Sequence, residues 1–108
     1  MKIAFDLDNT VITQGSPDLD YKDSLIKRDM VNIVNKLYDE GHEIYFFTAR
    51  HFKHFKYTKE FLDQCNFRYT GLVMNKISCD LYVDDKGFRW DDSKDKQLFD
   101  LVRMLDDK

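Results

Sequence analysis

MKIAFDLDNT, Met1 to Thr10, is the stretch whose reading decides the fold. The apolar run Ile3-Ala4-Phe5 delivers two acids to its own end, Asp6 and Asp8, with Leu7 between them. Continuous apolarity of this kind is the signature of a buried parallel strand and not of a strand with one wet face. Strand alternation places Asp6 and Asp8 on one side and Leu7 on the other. Two carboxylates side by side repel, and burying either unpaired costs several kcal/mol or forces a proton onto it. Something cationic is therefore expected between them, and the ligand type suggests a hard metal.

Two further runs repeat the pattern of a strand ending in polar groups. Ile44-Tyr45-Phe46-Phe47 ends in Thr48-Ala49-Arg50, and Leu81-Tyr82-Val83 ends in Asp84-Asp85. A shorter apolar piece, Leu72-Val73-Met74, precedes Asn75-Lys76. Helical periodicity lies between the runs. Met30, Val31, Ile33, Val34, Leu37 and Tyr38 recur at three- and four-residue spacing, with Gly41 as a stop. A second helix is expected from within 50–59 to about Cys65, with Phe61 and Leu62 inward. A third begins near Ser93, a capping residue, and carries Leu98, Phe99, Leu101, Val102 and Leu105 on its apolar face. The polar connection Asn9 to Ser24 has a turn at its tip, Gln14 to Asp18.

Strands alternating with helices predict an α/β fold: three layers in the Rossmann manner, a central parallel sheet with helices on both faces. In such sheets ligands bind beyond the carboxyl ends of the strands. Asp6/Asp8, Thr48 and Asp84/Asp85 all fall at such ends, so the polar clusters are expected to converge on one edge. Each residue taken alone has an ordinary reading: Thr48 a strand-end hydroxyl, Lys76 a solvated lysine, Asp85 a cap. Their order and their common position give them weight.

At 108 residues the chain is expected to be one domain over residues 1–108, and 43% hydrophobic content argues against disorder. The net charge of −3 speaks against long nucleic acids or a membrane surface as partner. Cys65 and Cys79 are too few and poorly spaced for a disulfide framework or a zinc site. An acidic motif at Asp6 is no start for a secretory leader, and no apolar run approaches transmembrane length, so a cytoplasmic protein is expected. Locally the charge differs: residues 50–59 (RHFKHFKYTK) hold four Lys/Arg, two His and no acid. Aromatic residues Phe52, Phe55 and Tyr57 interleave with these cations. That pattern fits a second phosphate, an acidic sugar or a nucleic-acid backbone, and equally a solvated helix face with its aromatic rings turned to the core.

FDLDNT (Phe5 to Thr10), FFTAR (Phe46 to Arg50), Lys76 and YVDD (Tyr82 to Asp85) resemble, in order, the four motifs of the haloacid dehalogenase superfamily. The closer resemblance is to its small capless phosphatases of capsule and polysaccharide biosynthesis. These share the helix ending Leu-Tyr-x-x-Gly-His (here Leu37 to His42), the TAR, and an acidic pair eight residues after the Lys. Such relatives often carry Pro after that Lys, where this chain has Ile77.

The resemblance implies a Mg²⁺-dependent phosphomonoester phosphatase working through an aspartyl-phosphate. Asp6 is the implied nucleophile and Asp8 the acid and base, with Thr48 and Lys76 contacting the phosphoryl group. Asp6, Asp8, Asp84 and Asp85 are the implied metal set. Arg50 and His51, where the second strand ends, are the candidates for substrate contact. Neither Asn9–Asp29 nor Arg50–Asn75 has room for a cap domain, so an open site is expected, one that a second copy of the chain could cover. The implied substrate is a small phosphorylated metabolite, a sugar or polyol phosphate for surface polysaccharide. The alternatives are a nucleotide or polynucleotide end, or, in another class, a binding domain without catalysis.

Overall fold

The computed structural model describes residues 1–13, 25–26, 29–91 and 94–106. They fall into two compact units, Met1–Ile77 and Ser78–Lys108. The turn expected at Gln14 to Asp18 and the cap expected at Ser93 lie outside the described residues.

The first unit is a small α/β domain built on a three-stranded parallel sheet. Strand β1 (Lys2–Asp6) pairs with β4 (Glu43–Phe47) in register from Lys2↔Glu43 to Asp6↔Phe47. Strand β5 (Gly71–Val73) pairs with β4 from Tyr45↔Gly71 to Phe47↔Val73, so the order is β1-β4-β5. Parallel neighbours need long crossovers. Helix α1 (Met30–Asp39) lies in the first and α2 (Phe55–Gln64) in the second. A two-rung antiparallel ladder, β2 (Ile12–Thr13) with β3 (Leu25–Ile26), interrupts the connection that composition presents as a polar loop. Val11 and Ile12 in it are fully buried.

The core follows the two periodicities. On β4, Ile44 and Phe46 are fully buried, while Tyr45 and Phe47 are only half covered. Helix α1 meets them with Met30, Ile33, Val34 and Leu37, spaced i, i+3, i+4, i+7. Phe46 sets its ring edge-on against Phe67 and Tyr69, each 5.3 Å between centroids. Buried Asn35 ties α1 to the chain after α2: its Nδ2 donates to the Asn66 carbonyl (2.9 Å) and its Oδ1 accepts from the Arg68 N–H (2.7 Å).

Gly41 ends α1 as its sequence position predicts. Its φ is +97°, its N–H donates to the Tyr38 carbonyl and that of His42 to the Leu37 carbonyl, the Schellman pattern. A Cβ here would meet nothing within 4 Å, so the glycine is needed for its dihedral and not for room. Gly71 is the opposite case: a Cβ would come 3.1 Å from the Tyr45 ring.

Two expectations are corrected. β1 does not show continuous burial, since Ala4 is exposed and Ile3 half-buried; it stands at an edge of the sheet as described and has one paired side. Leu81-Tyr82-Val83 is not a strand, and its residues are exposed by 73, 48 and 88%. An apolar triplet becomes a strand only through a neighbour's hydrogen bonds, and among the described residues it has no ladder partner. Among its described residues the second unit holds one helix, α3 (Asp95–Asp106), whose buried stripe is Leu98 and Val102, narrower than the five-residue face its periodicity predicts. Among the described residues no helix is long and apolar enough to cross a membrane.

Candidate active site

The site begins where β1 ends. Fully buried Leu7 turns its carbonyl back on the chain, accepting from the N–H groups of Thr10, Val11 and Ile12 (3.1, 2.9 and 3.1 Å). Asn9 takes up a left-handed conformation (φ 66°), which asparagine tolerates, and its N–H donates to the Ile12 carbonyl at 2.8 Å. With Leu7, Val11 and Ile12 anchored in the core, the acids on either side of Leu7 are left nearer solvent. The side chain of Asp6 is 40% exposed and that of Asp8 15%.

The two acids differ sharply in their partners. Arg50 grips Asp8: Nε donates to Oδ1 and Oδ2 (3.2 and 3.0 Å), and Nη2 donates to Oδ1 at 2.6 Å. Thr48 Oγ1 adds a donor to Oδ2 at 3.3 Å and itself accepts from the Arg50 N–H at 3.1 Å. The far side of the guanidinium is also occupied, Nη1 donating to Thr58 Oγ1 at 3.1 Å, while that hydroxyl donates to the His54 carbonyl at 2.8 Å. Arg50 is only 3% exposed. A buried ion pair holds only when charge and hydrogen-bonding capacity are met together, and this one meets both.

Asp6 has a looser partner. Lys76 Nζ lies 3.8 Å from its Oδ1, and the same ammonium sits 4.2 Å above the Phe47 ring. Burial raises the Asp6 carboxyl above the ordinary aspartate range; Lys76 and the Leu7 N–H pull it down and the Asp8 charge adds to the rise. Lys76 reaches this place because the ladder of β4 and β5 continues past their ends. The Thr48 N–H donates to the Val73 carbonyl (3.0 Å), the Lys76 N–H to the Thr48 carbonyl (2.8 Å) and the Asn75 N–H to the Arg50 carbonyl (3.0 Å). Asn75, at φ 62°, turns the chain here, and its Oδ1 accepts from the Phe52 N–H at 3.1 Å.

Of the residues singled out in the sequence, the structure therefore gathers Asp6, Asp8, Thr48, Arg50 and Lys76. His51 is exposed, and its Nδ1 accepts from the Lys53 N–H at 3.0 Å, capping the 3-10 turn Phe52–His54. Asp84 and Asp85 belong to the second unit and are exposed. Asp84 Oδ1 accepts from the N–H groups of Lys86 and Gly87 (2.9 and 2.6 Å), an aspartate-supported turn. Among the described residues no group of three or more His, Cys, Asp or Glu gathers to hold a metal.

Two participants escape a reading of the sequence. Thr58 carries the outer half of the Arg50 grip; its one signal is a polar residue four positions before Leu62 on the buried stripe of α2. Asn75 has no signal beyond its place before Lys76. Of the aromatic residues of 50–59, Phe52 and Tyr57 are not turned to the core, being 62% and 46% exposed, while Phe55 is half-buried.

No family model and no curated protein matches the chain. Solved structures do. The crystal structure of an "MCSG Target" from Vibrio cholerae matches with a TM-score of 0.69 at 23% identity, over 94% of this chain and 98% of that one. Chains of the Pnkp1/Rnl/Hen1 complex and of the Pnkp1/Rnl/Hen1 RNA repair complex match with TM-scores of 0.61 and 0.60, each at 20% identity over 91% of this chain. This chain covers 33% and 30% of those longer chains. At these identities the likeness is one of fold.

Proposed function

We propose that the chain is a phosphomonoester phosphatase of the haloacid dehalogenase type. The observation that carries this reading is the unequal treatment of two neighbouring carboxylates. Asp8 is saturated with donors, whereas Asp6 is accessible, raised by burial and only loosely compensated by Lys76. A carboxylate with few donors is the better nucleophile.

An Asp6 oxygen attacks phosphorus as the ester P–O bond breaks, leaving an aspartyl-phosphate and an alcohol. Water then attacks phosphorus, the Asp6–phosphate bond breaks, and Asp6 is restored with release of phosphate. Asp8 supplies the proton to the leaving oxygen and receives one from the water. The structure holds it bonded as a proton acceptor on both oxygens; the donating state requires one of those bonds to open. Lys76 and the Thr48 hydroxyl offer positive charge and a donor to the phosphoryl oxygens, the electrostatic part of the catalysis. Arg50, expected to meet substrate, is in this reading a positioning residue, because its guanidinium is buried on Asp8 and Thr58.

The donor chemistry fits Mg²⁺: hard oxygens, and a desolvated Asp6 whose charge Lys76 leaves under-compensated. The Asp6 carboxylate and the Asp8 carbonyl would hold the ion. When bound, it would neutralise charge on the transferring phosphoryl group.

Of the two substrate classes, the sugar or polyol phosphate rests on sequence resemblance. The nucleotide or polynucleotide end has in its favour the fold shared with chains of an RNA repair complex. Turnover of an aryl phosphate with and without Mg²⁺, alongside Asp6→Asn, tests the activity. Activity that needs Asp6 supports the reading. No turnover of any phosphoester, with metal binding unaffected by the substitution, refutes it.

A further inference from the structure

We infer that the exposed aromatic step beside the site, Phe52 stacked on Phe55 and flanked by Lys53 and Lys56, is a docking surface for a single-stranded polynucleotide. The strand's terminal phosphate would lie at Asp6. The inference rests on the phosphatase reading and deepens it.

Phe52 and Phe55 lie 5.5 Å apart between ring centroids with their planes 24° from parallel, and Phe52 remains 62% exposed. A large aromatic residue left in water has unused stacking surface, and the stack of two presents a flat face of the kind a base covers. The step is held in place. The Phe52 N–H donates to Asn75 Oδ1, and Asn75 adjoins Lys76, whose ammonium is 3.8 Å from Asp6. The step is thus one hydrogen bond and one residue from the lysine of the site. Such preorganisation lowers the ordering cost of binding.

The charges point to the same partner. Of the four cations in the acid-free run, Arg50 is buried on Asp8 and Lys59 pairs with Asp63. Lys53 and Lys56 are exposed, and among the described residues neither makes an ion pair. They stand around the start of α2, where the helix dipole disfavours cations, so helix stability does not explain them. Stacking rings between outward cations match the alternating bases and phosphates of a single strand. A small sugar phosphate would use neither. The net charge of −3 describes the whole chain and not this face.

The test uses the full chain with Asp6→Asn, which holds substrate without turnover. Fluorescence anisotropy is read with ten-residue oligo(rU) and oligo(dT), each with and without a terminal phosphate. Binding of the phosphorylated strands is expected, weakened about 5- to 150-fold by Phe52→Ala, the range of one lost base–aromatic stack, and restored by Phe52→Tyr. Lys53→Ala and Lys56→Ala should each reduce the slope of log K against log salt by about 0.7. In the chain with Asp6 intact, Phe52→Ala should lower the ratio of kcat/KM for the phosphorylated oligonucleotide to that for an aryl phosphate. Equal affinity of the parent and Phe52→Ala would overturn the inference. So would self-association through Phe52, seen by sedimentation, without oligonucleotide binding. If the parent hydrolyses neither ester, the phosphatase reading fails, and the anisotropy alone decides the surface.

Discussion

Replacing Arg50 by Ala would leave Asp8 with its charge, 15% exposed, and without the three guanidinium contacts that now compensate it. Removing one member of a buried ion pair costs about 3–5 kcal/mol, most of it the isolated charge left behind. The residual exposure of Asp8 puts this case at about 3 kcal/mol. Thr58 adds little, because its hydroxyl keeps the His54 carbonyl. At a urea slope of about 1.5–2 kcal/mol per molar, the unfolding midpoint falls by about 1.5–2 M. Arg50→Lys keeps the charge but loses the fork that reaches both oxygens and Thr58, and should recover about half of that loss. In a double-mutant cycle with Asp8→Ala, the coupling should be at least about 1.5 kcal/mol. Enzyme assays on Arg50→Lys separate positioning from substrate contact: kcat for an aryl phosphate falls while KM holds. A loss under about 1 kcal/mol for Arg50→Ala, coupling near zero, or a change confined to KM would refute the reasoning.

Asp6 should leave a pH signature when divalent cations are chelated. Its carboxyl is raised in the folded chain, so the native state binds the proton more tightly than the unfolded one, and stability falls as pH rises from the ordinary aspartate range through the raised value. Asp6→Asn removes that fall. The variant should be more stable than the parent at neutral pH, the gap closing below the unfolded value of 3.8, as followed by denaturation at stepped pH. Gly41→Ala should cost about 1 kcal/mol through its positive φ alone, with Gly41→Asn milder, both read by thermal melting. Thr58→Val takes the acceptor from Arg50 Nη1 and the donor from the His54 carbonyl, and should cost about 1–2 kcal/mol; in an Arg50→Ala background the Arg50 part of that cost disappears and the His54 part remains.

Much of the first unit was legible because its signals are local. A stripe at helical spacing with glycine behind it defines α1 and its end. Apolar runs ending in polar groups mark β1 and β4. Leu81 to Val83 misled for the converse reason, since apolarity records a tendency and a strand needs a partner to bond. The three aromatic residues of 50–59 were equally ambiguous. Spacing does not say which face of a short 3-10 turn meets the core, and Phe52 faces away from it.

The chemistry of the site divides along the same line. The sequence by itself determined which groups are available and where on the chain they stand: two acids at the end of β1, a threonine and arginine at the end of β4, a lysine after β5. Only the tertiary structure decided how those groups are paired. Asp6 and Asp8 are two residues apart and chemically identical, and no local feature distinguishes their environments. Parallel pairing of β1 with β4 brings Arg50 across 42 residues onto Asp8, and the extended β4–β5 ladder brings Lys76 only to within 3.8 Å of Asp6. Charge compensation depends on distance and burial, which are properties of the packed chain, so the difference between the two acids arises on folding.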